Sequence, residues 1–214
     1  MAKLPRRPDL GRLRELDPEV LTLERGTLLS RIYSRGGDYP TTWHAFRRFG
    51  PLSSRFDHHE ADEDGAPISN QDRAILYAAT DIPTAFAEVF QHNGRRIDRG
   101  RRRPWLVSFH VDRSLDLLDL TDAWLVRAGA SMKLVSDSVL TAQRWSRAFH
   151  ALHPAIAGVY YRSSLTGRPC VALYERAESA LADHTPVSLH RSLDDPLLHH
   201  AILSIADEIG YSIV

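Results

Sequence analysis

Predicted strands and predicted helices follow one another irregularly along the chain. This order restricts the folds that the chain can adopt. Strands are predicted at residues 28–33, 74–79, 105–111, 115–120, 158–163 and 170–174. Helices are predicted to begin at Asp17, at Thr80 or Asp81, at Asp137 or Ser138, and at Pro196. Because the two kinds of segment do not alternate regularly, they predict a single α+β domain and not a doubly wound parallel sheet.

The same patterns divide the chain into three parts. Residues 1–25 are predicted to form a loose basic arm and a short helix, which Asp17-Pro18-Glu19 begins and Gly26 ends. Residues 26–180 hold the predicted strands and therefore the domain proper. Residues 181–214 form an extension whose helix carries an apolar stripe. Within the domain, residues 34–74 predict a long loop, and long loops in compact domains are often functional.

Composition and charge exclude several classes of protein. Basic and acidic residues number 27 each, which argues against a chain devoted as a whole to nucleic acid but leaves a local basic patch open. The single Cys170 excludes an internal disulfide framework and a four-cysteine zinc site. No apolar run approaches the roughly 18 residues of a membrane-spanning helix, and the N-terminus lacks the apolar stretch of a secretory signal. We therefore predict a cytoplasmic protein without a membrane partner.

Five polar residues stand out, four within or beside the predicted strands and helices and one in the predicted 34–74 loop. They are Arg31, Arg55, Tyr77, Glu88 and Ser163. Each has an ordinary structural explanation when it is taken alone. Glu88, for example, falls on the polar side of a helix whose apolar face is predicted to include Phe86 and Val89, as a solvated carboxylate would. Only the joint pattern of the five points to a functional site.

The order and surroundings of these residues resemble the RES-domain family of bacterial toxins, over about residues 31–174. The family pattern runs from an Arg-Tyr opening through Gly-Arg-Phe/Trp-Asn and Ile-Tyr-x-Ala to a helical Glu, and later through Leu-Asp-Leu-Thr, a Trp-bearing helix and Gly-x-x-Tyr-x-Ser. This chain has Leu118-Asp119-Leu120-Thr121 and the Trp145 helix in the expected order. It departs at three places: Asp57 stands where Asn is usual, Ser53-Ser54 replace glycines, and Cys170 stands near a usual Asn.

The resemblance implies a fold similar to ADP-ribosyltransferases and an activity that consumes NAD+. Members of the family cleave the bond between nicotinamide and ribose, by phosphorolysis or by hydrolysis. NAD+ is then a substrate, phosphate is a possible co-substrate, and no cofactor is expected. The resemblance also implies an Xre-type antitoxin that forms a hetero-oligomer with the toxin, so that contact with DNA is indirect.

The residue types suit this chemistry. A carboxylate such as Glu88 can stabilise the oxocarbenium-like ribose that forms when the bond breaks. The ring of Tyr77 can stack on nicotinamide, and the guanidinium groups of Arg31 and Arg55 can bind the pyrophosphate. Glu88, Arg31 and Tyr77 are therefore predicted as catalytic. Arg55, Ser163 and a pocket-lining histidine, His58 or its neighbour His59, are predicted to bind the substrate, with no metal required.

Two other interpretations of the sequence come from different functional classes. Six arginines lie between Arg95 and Arg103, which would suit a nucleic-acid or partner-binding module without catalysis. The run His58-His59-Glu60 and the pair His150 and His153 have spacings at which side chains can share a metal, as in a metal-dependent hydrolase. Histidines this frequent also form such pairs by chance, and we predict no metal site.

Overall fold

A computed structural model describes residues 7–136, 138–181 and 184–214, so Asp137 and the first six residues of the predicted arm lie outside the described part. Strands in this part are β1 (Val20–Leu23), β2 (Leu28–Ser34), β3 (Ile75–Ala79), β4 (Arg96–Ile97), β5 (Pro104–His110), β6 (Leu115–Asp119), β7 (Gly158–Arg162), β8 (Pro169–Tyr174), β9 (Val187–Ser192) and β10 (Ser212–Ile213). Helices are α1 (Leu10–Glu15), α2 (Ile82–Phe90), α3 (Trp124–Arg127), α4 (Val139–Leu152) and α5 (His199–Ile209). The α+β prediction is confirmed.

Most of the strands join one mixed sheet in the order β1-β6-β7-β8-β3-β2-β5-β9. Neighbouring strands are antiparallel except for the parallel pair β6 and β7. The sheet is least continuous between its fifth and sixth strands, because β3 and β2 are paired only at Ala79 and Ser30. Beyond that pair the two strands part, and the sheet opens between its halves.

Helices cover the sheet and bury its apolar side chains. α3 and α4 contribute Trp124, Trp145 and Phe149 to one core cluster. α2 and α5 meet around Phe86 and Ile202 in another. The short parallel pair of β4 and β10 lies beside this second cluster and ties the end of the chain to the segment after α2. α2 is therefore held on the side that faces away from the opening in the sheet.

The predicted helix that begins at Asp17 is wrong. The residues that follow form strand β1, which pairs with β6 along Val20–Leu23 and buries Leu23. The start signal of Asp17-Pro18-Glu19 is local, and pairing with a distant strand overrides it. A helix does occur earlier, within the predicted loose arm: α1 is capped by Asp9 and buries Leu13.

The helix starts predicted at Asp81 and Ser138 are confirmed. Asp81 accepts hydrogen bonds at the start of α2 from the N–H and the hydroxyl of Thr84, and the Ser138 hydroxyl accepts one from the N–H of Thr141 at the start of α4. Gly210 ends α5 at a φ of 68°, a conformation that favours glycine. Among the described residues, no helix combines the length and the apolar character needed to span a bilayer.

Candidate functional site

A cavity of about 560 Å³ lies where β2 and β3 part. β2 lines it with Ser30–Ile32, β3 with Ile75–Ala79, and α2 with residues that include Glu88. Further lining comes from the 34–74 loop and from residues after α2, near the start of α4, and in and between β7 and β8. The volume is within the range of small-molecule sites, and polar groups from several segments converge on a mostly apolar space.

Arg31 projects into this cavity from β2. One terminal nitrogen donates a hydrogen bond to the carbonyl of Trp43 at 3.0 Å, while the buried Nε has no partner among the described residues. Burial lowers the pKa of Arg31 to about 10, so the group stays charged at neutral pH. In the described part of the chain no carboxylate pairs with Arg31, and a buried cation of this kind is suited to an anionic ligand.

Tyr77 lies on β3, and its ring lines the cavity. Its hydroxyl is buried and makes no hydrogen bond of ordinary geometry within the described residues. Burial, together with the negative charge of Asp57, raises the pKa of Tyr77 well above its usual value. The side chain therefore offers a neutral aromatic surface to a ligand.

Glu88 faces the cavity from α2 and is half-buried, not freely solvated. One carboxylate oxygen accepts a hydrogen bond from the Ser163 hydroxyl at 2.6 Å, and the other accepts one from the Gln91 amide at 3.1 Å. The prediction that Val89 belongs to the core face is wrong, since 45% of this side chain is exposed and it also lines the cavity. The opening in the sheet leaves this side of α2 uncovered.

Ser163 does not line the cavity, in contrast to its predicted contact with the substrate. Its hydroxyl donates to Glu88 and accepts hydrogen bonds from the N–H groups of Leu165 and Thr166 in the turn between β7 and β8. The buried hydroxyl is thus fully used in fixing the Glu88 carboxylate to that turn. Ser163 therefore contacts Glu88 and not the cavity, while its neighbour Ser164 in the same turn lines the cavity.

Arg55 lines the cavity from the 34–74 loop, beside Ser53 and Ser54. A second loop arginine, Arg47, lines the cavity as well and was not predicted from the sequence. In the sequence Arg47 is followed by Arg48, and this pair carries no functional signal. The available signal was Asp57, which stands where the family usually has Asn, because a buried carboxylate needs a cationic partner.

Asp57 explains how this loop keeps its shape. The buried carboxylate accepts hydrogen bonds from Arg47 at 2.7 Å, from the N–H of Leu52 at 2.7 Å and from Nδ1 of His59. Burial alone would raise the pKa of Asp57, but the hydrogen bonds and the positive charge of Arg47 outweigh it, so the pKa is lowered. The carboxylate is ionised at neutral pH and crosslinks three points of the loop.

The prediction that His58 or His59 lines the cavity is wrong. Both imidazoles are fully buried on the far side of the loop. His59 joins Asp57 to the carbonyl of Arg47, while His58 contacts Glu175 and packs on Tyr174 with ring centroids 4.3 Å apart. The two histidines therefore support the loop on the side away from the cavity, through contacts with Asp57, Glu175 and Tyr174.

The other histidine groupings predicted from spacing are not formed either. Glu60 pairs with Arg73 at 2.5 Å, and His153 ends α4. His150 instead meets His58 and Glu175, which lie far from it in sequence.

The arginine cluster lies apart from the cavity, which none of its members lines. Arg99 donates to the carbonyl of Leu193 at 2.6 Å, and the carbonyls of Arg102 and Arg103 accept hydrogen bonds from the segment after β2. These contacts give part of the cluster a structural role within the fold.

Comparisons with known proteins agree with this architecture. Residues 28–195 match the sequence profile of the RES domain. A chain in the crystal structure of the M. tuberculosis MbcT-MbcA toxin-antitoxin complex is similar in fold, with a TM-score of 0.56 and 16% identity, over 89% of this chain and 94% of that chain. No curated protein sequence matches. Because the profile spans most of the chain, including every residue that we have placed at the cavity, the chain belongs to the RES-domain family.

Proposed function

We propose that this protein is an NAD+-degrading toxin of a toxin–antitoxin system that acts in the cytoplasm. One observation carries the proposal: Arg31, Arg55, Tyr77 and Glu88 reach a single cavity from four separate segments. Membership of the RES-domain family supports the reaction, and the similarity in fold to a chain of a toxin–antitoxin complex supports the biological setting.

In this proposal Glu88 is the residue that lowers the barrier to cleavage. As the bond from nicotinamide to ribose breaks, positive charge develops on the sugar ring, and a fixed carboxylate stabilises it. The hydrogen bonds from Ser163 and Gln91 hold the carboxylate before the substrate arrives. Little reorganisation is then needed in the transition state.

The binding roles follow from charge and shape. The guanidinium of Arg31, whose Nε is buried and which pairs with no carboxylate among the described residues, binds the pyrophosphate, and Arg55 assists it from the loop. The neutral ring of Tyr77 stacks on nicotinamide, whose positive charge in NAD+ favours an aromatic face. The attacking group is phosphate or water, and the reaction is correspondingly phosphorolysis or hydrolysis.

The proposed partner is an antitoxin of Xre type that forms a hetero-oligomer with the toxin and contacts DNA in its place. Family membership and the similarity in fold to a chain of a toxin–antitoxin complex support this partner. In that arrangement the toxin itself requires no DNA-binding surface.

The test is NAD+ loss by the purified chain, measured as released nicotinamide with and without phosphate. Glu88→Gln and Arg31→Ala should each lower the rate by at least about 100-fold, as the removal of a group that stabilises transition-state charge does. Glu208→Gln and Arg191→Ala are matched controls in exposed ion pairs and should retain the wild-type rate.

The products distinguish the two reactions. Phosphate-dependent loss with a phosphorylated ADP-ribose product identifies a phosphorylase, and phosphate-independent loss with ADP-ribose identifies a hydrolase. Full activity in both cavity variants would refute the assigned site. A folded, partner-free wild-type chain that releases no nicotinamide under either condition would refute the proposed activity.

A further inference from the structure

Behind the cavity, three metal-ligating side chains from separate segments meet at one point. They are His58 in the 34–74 loop, His150 on α4 and Glu175 directly after β8. One ligand atom of each lies within 4.8 Å of the others. None of the three lines the cavity, so the proposed reaction does not account for their convergence.

The geometry of this cluster suits a divalent ion. Nε2 of His58 lies 3.1 Å from one carboxylate oxygen of Glu175, and Nε2 of His150 lies 2.6 Å from the other. The two imidazole rings are 4.4 Å apart, centroid to centroid. Two imidazole nitrogens and one carboxylate form a donor set that zinc commonly takes, with water as the fourth ligand.

The backbone around the three side chains is fixed by hydrogen bonds. Arg73 donates to the carbonyl of His58 at 2.6 Å, and Arg176 donates to the carbonyl of His150 at 2.9 Å. The N–H of Ala74 lies 3.3 Å from a carboxylate oxygen of Glu175 and orients it. The contact with the Glu175 carboxylate is of the kind that orients a metal ligand and contributes to affinity, while the two arginines fix only the backbone of the histidines.

Proton positions also allow an ion to bind. In the metal-free cluster, both Nε2 atoms must carry a proton in order to donate to Glu175. Coordination needs both Nε2 lone pairs, so each proton moves to Nδ1 of the same ring, with no net gain or loss. Nδ1 of His58 is buried and has no partner in the described part of the chain, so the proton displaces no donor there. The resulting N–H has no acceptor among the described residues, and this costs part of the free energy of metal binding.

We propose that His58, His150 and Glu175 bind one zinc ion, with water in the fourth position. His58 is fully buried, while the side chains of His150 and Glu175 are 12% and 21% exposed and give the ion access from solvent. The ion joins the loop that carries Arg55 to α4 and to the end of β8. It acts as a structural clamp behind the cavity and takes no part in the bond cleavage.

The test uses the full chain after treatment with a chelator and removal of the chelator. Titration with Zn²⁺ should show one ion bound per chain and a higher melting temperature, since an ion that binds only the folded state stabilises it. Co²⁺ should give the intense visible absorption of a low-coordinate histidine and carboxylate site. Neither measurement depends on NAD+ turnover, so the result stands whether or not the proposed function holds.

Two variants separate a metal site from a set of hydrogen bonds. His150→Gln keeps a side-chain donor for Glu175 but removes a ligand, and Glu175→Gln removes the carboxylate. Both should weaken Zn²⁺ binding by at least about 100-fold, beyond the loss usual for a supporting contact. His200→Ala removes an exposed histidine and should bind as the wild type does.

The proposal fails if the wild-type chain binds no stoichiometric ion. It also fails if His150→Gln and Glu175→Gln bind Zn²⁺ as tightly as the wild type, because the ion would then sit elsewhere. Circular dichroism of each variant shows whether it is folded. If a variant is unfolded, the wild-type Co²⁺ spectrum decides the question without it.

Discussion

Tyr77 and Glu88 reach the cavity from a strand and a helix that follow each other directly, whereas Arg55 reaches it from a long loop without regular structure. The first wall, β3 and α2, is held by backbone pairing and a buried apolar face. The second wall, the 34–74 loop, is held by many separate polar contacts, and the buried carboxylate of Asp57 is the one that joins three points of the loop at once. One site therefore combines two kinds of construction.

The difference predicts how each wall responds to mutation. Apolar packing is distributed over many contacts, so removal of one polar group from α2 leaves most of its support intact. A buried ionic network fails more abruptly, because each missing member leaves charged partners without compensation. The loop wall should accordingly be the more sensitive of the two to a single polar substitution.

Asp57→Ala should give the largest loss of stability among the variants considered. It leaves Arg47, the N–H of Leu52 and His59 without their shared acceptor, and the breaking of a buried ion pair costs about 3–5 kcal/mol. Arg48→Ala is the matched control, since its pair with Glu178 is exposed and such pairs contribute about 0–1 kcal/mol. Urea unfolding measures both variants, and a cost for Asp57→Ala no larger than that for Arg48→Ala would show that the buried carboxylate does not stabilise the loop wall.

The same distinction explains which parts of the molecule the sequence predicts. The wall of β3 and α2 is encoded locally, by a short apolar run, the cap at Asp81 and Pro83 in the first turn, so its elements were predicted correctly. The loop wall depends on contacts between side chains whose positions in the sequence follow no helical or strand pattern. Neither the position of Arg47 nor the burial of His58 leaves a periodic signal.

Errors elsewhere have the same physical origin. The helix predicted at Asp17 followed valid local rules, but the partner that converts the segment into a strand is β6, almost a hundred residues away. β9 was not predicted at all, because its exposed residues lack alternation and its place is set by pairing with β5. Ser163 was predicted to belong to the site, but only the structure distinguishes a ligand contact from a contact with Glu88.

Ser163→Ala tests how far α2 relies on support from outside the helix. The hydroxyl donates to a charged acceptor, and such a bond contributes about 1.5–3 kcal/mol, so turnover of NAD+ should fall about 10- to 100-fold. Because Ser163 does not line the cavity, the loss should appear in kcat with little change in KM. Ser163→Thr retains a hydroxyl and should restore part of the rate.

Ser188→Ala on the exposed strand β9 is the control for this variant and should retain wild-type kinetics. A rise in KM with unchanged kcat for Ser163→Ala would instead indicate direct contact with the substrate. In that case Ser163 would act as first predicted from the sequence, and the orientation of Glu88 would have another source.

The smallest effect is expected for Tyr211→Phe, which removes the hydrogen bond that the Tyr211 hydroxyl donates to the carbonyl of Ala87, at 3.2 Å. Ala87 precedes Glu88, so the bond ties the last residues of the chain to the helix at the point where the proposed catalytic group projects. A neutral hydrogen bond contributes about 0.5–1.5 kcal/mol, and the buried contacts of Phe86 with α5 remain. We therefore expect a slightly lower urea midpoint and a rate of NAD+ loss within about twofold of the wild type. A fall in the urea midpoint as large as that of Asp57→Ala would mean that a single polar contact also holds the helical wall, and the two walls would then differ in composition but not in how they are held.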